Sequence, residues 1–180
     1  MIRPMTDRSL SPAWLASWTS RVSETLQAIT DEFEHRHGYP AGTNEVRPAD
    51  RADQVVARTL AQVHVVPADL VTFYDSVGDL TWEDVGNGHF VDSAAAVHAR
   101  FRQYGTVDVT TDPPVTGLVF GSNGGGLSYV ANHDGVIYRT RTASLDEPEL
   151  DRVADDLGQF LELLEQSLTR FAGGGDPACL

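Results

Sequence analysis

Residues 115–140 read VTGLVFGSNGGGLSYVANHDGVIYRT. Three short apolar runs are separated first by a run of glycines and then by an Asp-Gly pair. β-branched and aromatic runs bounded by such breaks are the signature of short strands. Asp134-Gly135 is a favoured pair for a two-residue hairpin turn, so the last two runs are expected to pair antiparallel. That turn pairs Ala131 with Tyr138 and Tyr129 with Thr140 on one face. It pairs Val130 with Arg139 and Asn132 with Ile137 on the other.

The glycine run also invites a different reading. In GSNGGGLS, Gly121 and Gly126 fall on the two glycines of a phosphate-binding loop, and Ser128 falls on its metal-binding hydroxyl. Leu127 stands where the lysine belongs, and all 13 basic residues of the chain are arginine. A phosphate loop must also lead from a strand into a helix, whose N-terminus and loop amides hold the phosphates. Here a strand-like segment follows. Gly121, Ser122, Asn123, Gly124, Gly125 and Gly126 are therefore expected to join two strands, with glycines supplying positive φ angles.

Elsewhere helical spacing dominates. Leu15, Trp18, Val22, Leu26, Ile29 and Phe33 mark one face of a helix from Ser11 to His37, stopped by Gly38. GYPAGTNEVRPAD reads as a loop. Asp50 can cap a second helix running to about Val63, with Val55, Val56, Leu60 and Val63 inward. Leu70, Phe73, Tyr74 and Val77 place a short helix after Pro67. Residues 80–92 form a small hairpin around Gly86-Asn87-Gly88. Asp92 or Ser93 then caps a helix with Val97, Phe101 and Tyr104 inward. TVDVT is a short strand, and Asp112-Pro113-Pro114 is a break. Asp146 and Glu149, with Pro148 between them, have the spacing of a capping box. They suggest a long final helix, with Leu150, Val153, Leu157, Phe160, Leu161, Leu164 and Leu168 buried. The expected fold class is α+β, a mostly antiparallel sheet flanked by helices. Residues 1–49 form an added N-terminal helix and loop, residues 50–171 the main domain, and residues 172–180 a flexible tail.

Charge bears on partners. The chain of 180 residues carries a formal net charge of −13. Residues 143–180 alone hold nine acids against two arginines, and residues 61–142 nine against four. Such a field repels nucleic-acid phosphates and anionic membranes and suits a basic partner. No apolar run reaches membrane-helix length, and the first residues lack a signal-peptide core. A cytoplasmic location is the expectation. Cys179, the one cysteine, allows no intramolecular disulfide and reads as an incidental thiol in a frayed tail.

The strand ending LVFGSNGGG, followed by LSYVANHDGVIYR and a helix containing VADDLGQFLELL, resembles the core of the SUKH superfamily. VHVVPADLVTFYDSVG resembles that family's early helix, although Val77-Gly78-Asp79 only partly matches the Asn-Gly-Gly usual there. The likeness covers roughly Val55 to Leu168. It implies a SUKH-like antiparallel sheet with flanking helices, and it makes residues 121–126 a fold signature with no catalytic role. Many members are bacterial immunity proteins that neutralise toxin domains, often nucleases, and one is a fungal scaffold of cell-wall signalling. The functional expectation is a non-enzymatic immunity protein that binds a cognate, basic toxin domain, with a scaffold or adaptor as the alternative.

Candidate site residues follow from that expectation. Asp75, Asp79, Glu83 and Asp84 surround Trp82, and an aromatic anchor with an acidic rim suits a basic docking partner. The competing reading puts Trp82 in the core and the acids on a solvated edge. No metal or cofactor is expected, because His35 and His37 lack ligand spacing. Ser122 lacks a nucleophile elbow, and His133-Asp134 offers only nearness in sequence. The protein is expected as a monomer or homodimer.

Overall fold

The computed structural model describes residues 10–109, 114–146, 148–177 and 180, and in them five helices pack on one antiparallel sheet of eight strands. The first helix, α1 (Pro12–His37), begins where Ser11 accepts the Trp14 amide with Pro12 in its first turn. It ends at Gly38, whose left-handed φ of 79° lets its amide return to the Glu34 carbonyl. Its apolar stripe buries Leu15, Trp18, Val22, Leu26 and Phe33. The Trp18 indole donates to the Leu161 carbonyl at 3.1 Å, fixing α1 against the last helix.

The segment expected as a plain loop contains an edge strand, β1 (Asn44–Pro48). Only Val46 of it is buried, so no apolar alternation betrays it, and Pro48 is tolerated because it sits at a bulge on the sheet edge. This strand and α1 make the described part of residues 1–49 integral to the main core. Next come α2 (Arg51–Leu60) and α3 (Ala68–Ser76), the former closed by a reciprocal capping box of Asp50 and Asp53. Ala57 and Leu60 form the inward face of α2, which leaves Val55 exposed against expectation.

The expected hairpin is β2 (Val77–Trp82) with β3 (His89–Val91), and α3 runs directly into β2. Ser93 caps α4 (Ala94–Tyr104), which ends at Gly105. There Tyr104 points outward, contrary to expectation. Then follow β4 (Val107–Val109), β5 (Val115–Asn123), β6 (Ser128–Asn132) and β7 (Ile137–Thr140). Of the expected break, Asp112 and Pro113 lie outside the described residues, as does Cys179.

The β6–β7 register differs by one residue from that of a two-residue turn. Tyr129 pairs with Arg139, Val130 with Tyr138 and Ala131 with Ile137. The loop has three residues: the Gly135 amide closes a turn on the Asn132 carbonyl, and Gly135 has φ +89°. This register places Ala131 and Ile137 together on the face covered by helices. It places Val130 and Tyr138 together on the other face, with Val109 and Val119. The two-residue register would have crossed Ala131 with Tyr138 and mixed the faces.

The long final helix is instead a strand and a helix, β8 (Leu150–Ala154) and α5 (Leu157–Ala172). Asp156 caps α5 by accepting the Gln159 amide at 2.7 Å, so Asp146 and Glu149 cap nothing. Residues 150–154 take the free edge of β7, where Asp151 meets the Arg141 guanidinium at 2.7 Å. Leu157, Phe160, Leu161, Leu164 and Leu168 are buried as their spacing predicts. The sheet order is β1-β2-β3-β5-β6-β7-β8, with β4 pairing β5 off this path.

Residues 172–180, expected as a flexible tail, fold back in their described part. Ser167 Oγ donates to the Pro177 carbonyl, and Leu180 packs on the core. Among the described residues no helix is long and apolar enough to cross a membrane.

Candidate protein-docking surface

Strand alternation decides the fate of Trp82. Leu80 and Trp82 share the core face of β2, and Trp82 is fully buried, edge-on to His89 at 6.2 Å. It is a core side chain and offers no ring to a partner, which corrects its expected role as anchor.

Three of the four acids around it are used inside the chain. Asp79 accepts from Arg47 Nε at 2.7 Å, and Arg47 also grips Asp53 at 2.7 and 3.0 Å. These bonds hold the Asp53 carboxyl below its ordinary value and raise the guanidinium. Glu83 accepts the Thr43 amide, and Asp84 accepts the Gly42 amide and the Asn44 side-chain amide. The acids of the β2–β3 region thus fasten β1 and the loop before it. Asp75 is exposed near the end of α3. The structure does not bring the five expected residues together as one anchored patch.

The glycine turn is a seam. Asn123 Oδ1 accepts the Gly125 and Leu127 amides, and the Gly124 amide donates to the Gly88 carbonyl. A Cβ on Gly124 would overlap the Asn87 carbonyl oxygen, and one on Gly121 would overlap that of Phe90. Of the turn glycines only Gly126 has a positive φ. Close approach of two backbones, more than turn conformation, is what demands glycine here. Ser122 lies at the β5–β6 turn and His133 beyond the far end of β6, roughly 17 Å away by strand rise. They cannot form one catalytic group. Among the described residues no cluster of three or more His, Cys, Asp or Glu is arranged to hold a metal.

An aromatic anchor with an acidic rim does exist, but elsewhere. A cleft of about 1020 Å³ opens between the end of α4, β4 and residues 143–146 with 148 and 149. Leu118 and Val119 of β5 contribute to its lining, with Phe101 and Val107 on one side. Tyr104 and Leu145, 74% and 40% exposed, line it, and they are two of four large apolar side chains left exposed among the described residues. Asp108, Asp146 and Glu149 supply negative charge against one lining arginine, Arg100, itself bound to Asp92 at 2.6 Å. Glu149 shares Arg141 with Asp151, whereas Asp108 and Asp146 have no ion-pair partner among the described residues. Sequence reasoning missed this cleft because its walls lie some 40 residues apart and Tyr104 keeps helical spacing with Phe101.

A buried polar pair completes the sheet interior. His89 Nδ1 meets the Tyr129 hydroxyl at 2.9 Å. Burial lowers the His89 imidazole to about 4 and pushes the Tyr129 phenol up. Such a histidine stays neutral near pH 7 and serves packing.

Comparison with protein-family models, curated proteins and solved structures finds no match to this chain.

Proposed function

We propose that this chain is a non-enzymatic protein-binding domain of the immunity type, one that docks on and neutralises a basic toxin domain in the cytoplasm. The observation that carries the reading is the open cleft, where exposed Tyr104 and Leu145 stand beside Asp108 and Asp146, neither ion-paired among the described residues. Aromatic and aliphatic side chains in a concave site provide contact area that water leaves on binding. Carboxylates at its margin speed and orient the approach of a cationic partner. The net charge of −13 extends the same bias over the whole surface. The resemblance of the segments forming β5, the glycine turn, β6 and β7 to the SUKH core supports the immunity role, although β8 intervenes before α5.

The test is association kinetics with the captured partner over a range of salt concentrations. Screening shortens to about 8 Å at physiological ionic strength. The on-rate is expected to fall as salt rises, and to fall again when Asp108 and Asp146 are replaced by lysine. A salt-independent on-rate, unchanged in the double variant, contradicts the reading. Recovery of a resident cytosolic protein in place of a toxin makes the chain an adaptor.

A further inference from the structure

Beyond α5 the chain turns back and lies on the fold as a ligand lies in a groove. It runs through Gly173, Gly174 and Gly175, all exposed, and Gly174 turns with a φ of +80°. Three separate elements then receive it. From α5, Ser167, 3% exposed, donates its hydroxyl to the Pro177 carbonyl. From the β2–β3 loop, Gly86 leaves space for the Pro177 ring, since a Cβ there would stand 2.7 Å from Pro177 Cγ. From the end of β5, Asn123 donates its side-chain amide to the Leu180 carbonyl at 3.3 Å, while its Oδ1 holds the glycine turn. Leu180 itself packs on the main core. The segment gives that core little in return. Among the described residues no buried apolar side chain lies beyond Leu168, and Pro177 and Leu180 are only half-buried.

We infer that Gly86, Asn123 and Ser167 form a peptide groove, filled in cis by the segment bearing Pro177 and Leu180, that takes from a partner an extended segment of the same pattern, Pro-x-x-Leu. The groove holds its occupant through two backbone carbonyls, a proline ring and one aliphatic side chain, and any chain of that pattern presents the same groups. A segment with few buried contacts and a glycine tether opens at low cost. The short tether also keeps it at a high local concentration, so a partner must displace it and the groove is autoinhibited. None of the three groove residues lines the acidic cleft. The inference therefore stands apart from the docking role proposed for that cleft.

The test uses the full chain, native and with Pro177→Gly and Leu180→Gly together, which should free the segment. The probe is a synthetic peptide of residues 174–180, GGDPACL, titrated to millimolar concentration under reducing conditions and followed by NMR. The double variant is expected to keep the dispersed spectrum and nearly the melting temperature of the native chain. In it the peptide is expected to shift the Gly86 and Ser167 backbone amides and the Asn123 side-chain amide. The native chain is expected to need at least about tenfold more peptide for the same shifts, because its own segment competes. A control peptide with glycine for both proline and leucine is expected to shift none of them. A double variant that loses its dispersed spectrum makes the segment part of the core and overturns the inference. So does a folded variant in which the peptide leaves those three amides unmoved. Equal binding to both chains overturns autoinhibition. A native chain that dimerises where the double variant stays monomeric assigns the groove to a second copy's segment and overturns the partner assignment.

Discussion

Acid should loosen this fold through one side chain. His89 is 5% exposed, its Nδ1 on the Tyr129 hydroxyl and its ring against Trp82. Burial lowers it from 6.5 to about 4. The unfolded chain therefore takes up a proton below about pH 6.5 while the folded chain refuses it until about pH 4. Stability is full above 6.5, declines as pH falls between the two values, and declines no further from this group below 4. The gap corresponds to about 3 kcal/mol in total, most of it lost by about pH 4.5. That is a large part of the roughly 5–15 kcal/mol that holds a domain together. The assay is urea unfolding from about pH 7.5 to about 4.5, on the native chain and on His89→Gln. Carboxylates titrate in both chains and cancel in the difference. The advantage of the native chain is expected to shrink by about 2–3 kcal/mol over that range. A difference that stays constant to within about 0.5 kcal/mol refutes the link between burial and acid sensitivity.

Other outcomes follow from the same contacts. Trp82→Ala should cost about 3–5 kcal/mol of stability, as large core truncations do, with little change in association rate measured on the folded fraction. Gly124→Ala should destabilise by about 1–3 kcal/mol because its methyl meets the Asn87 carbonyl, whereas Gly125→Ala should cost far less; thermal melts compare the two. Tyr129→Phe should cost about 1–3 kcal/mol by stranding the His89 nitrogen, read by urea titration near neutral pH. Asp108→Lys with Asp146→Lys should leave the melting temperature nearly unchanged, since both side chains lack ion-pair partners among the described residues.

What the sequence made legible were features written locally. Ser11 and Gly38 bound α1, Asp50 and Ser93 cap their helices, and three apolar runs between glycines make β5, β6 and β7. What it hid depends on partners far along the chain. Strand β1 shows one inward residue, and its place is set by Glu83 and Asp84 from 40 residues on. Leu150, Val153 and Leu157 obey helical spacing, yet the vacant edge of β7 and the Arg141–Asp151 pair draw residues 150–154 into the sheet. Asp134-Gly135 announced a hairpin correctly, but face matching of Ala131 with Ile137 lengthened its loop by a residue. The expected pairing of an aromatic with acids was placed at Trp82, which alternation along β2 buries. Its counterpart at Tyr104 and Asp146 needed two distant segments to meet.

The most direct test of the docking account is a paired affinity capture from the source cells and their culture medium. One bait is the native chain and the other carries Asp108→Lys with Asp146→Lys, with bound proteins quantified by mass spectrometry. The account predicts a basic toxin domain recovered with the native bait in near-equal amount and lost from the reversed bait. No stoichiometric protein on either bait, or one held equally by both, contradicts it.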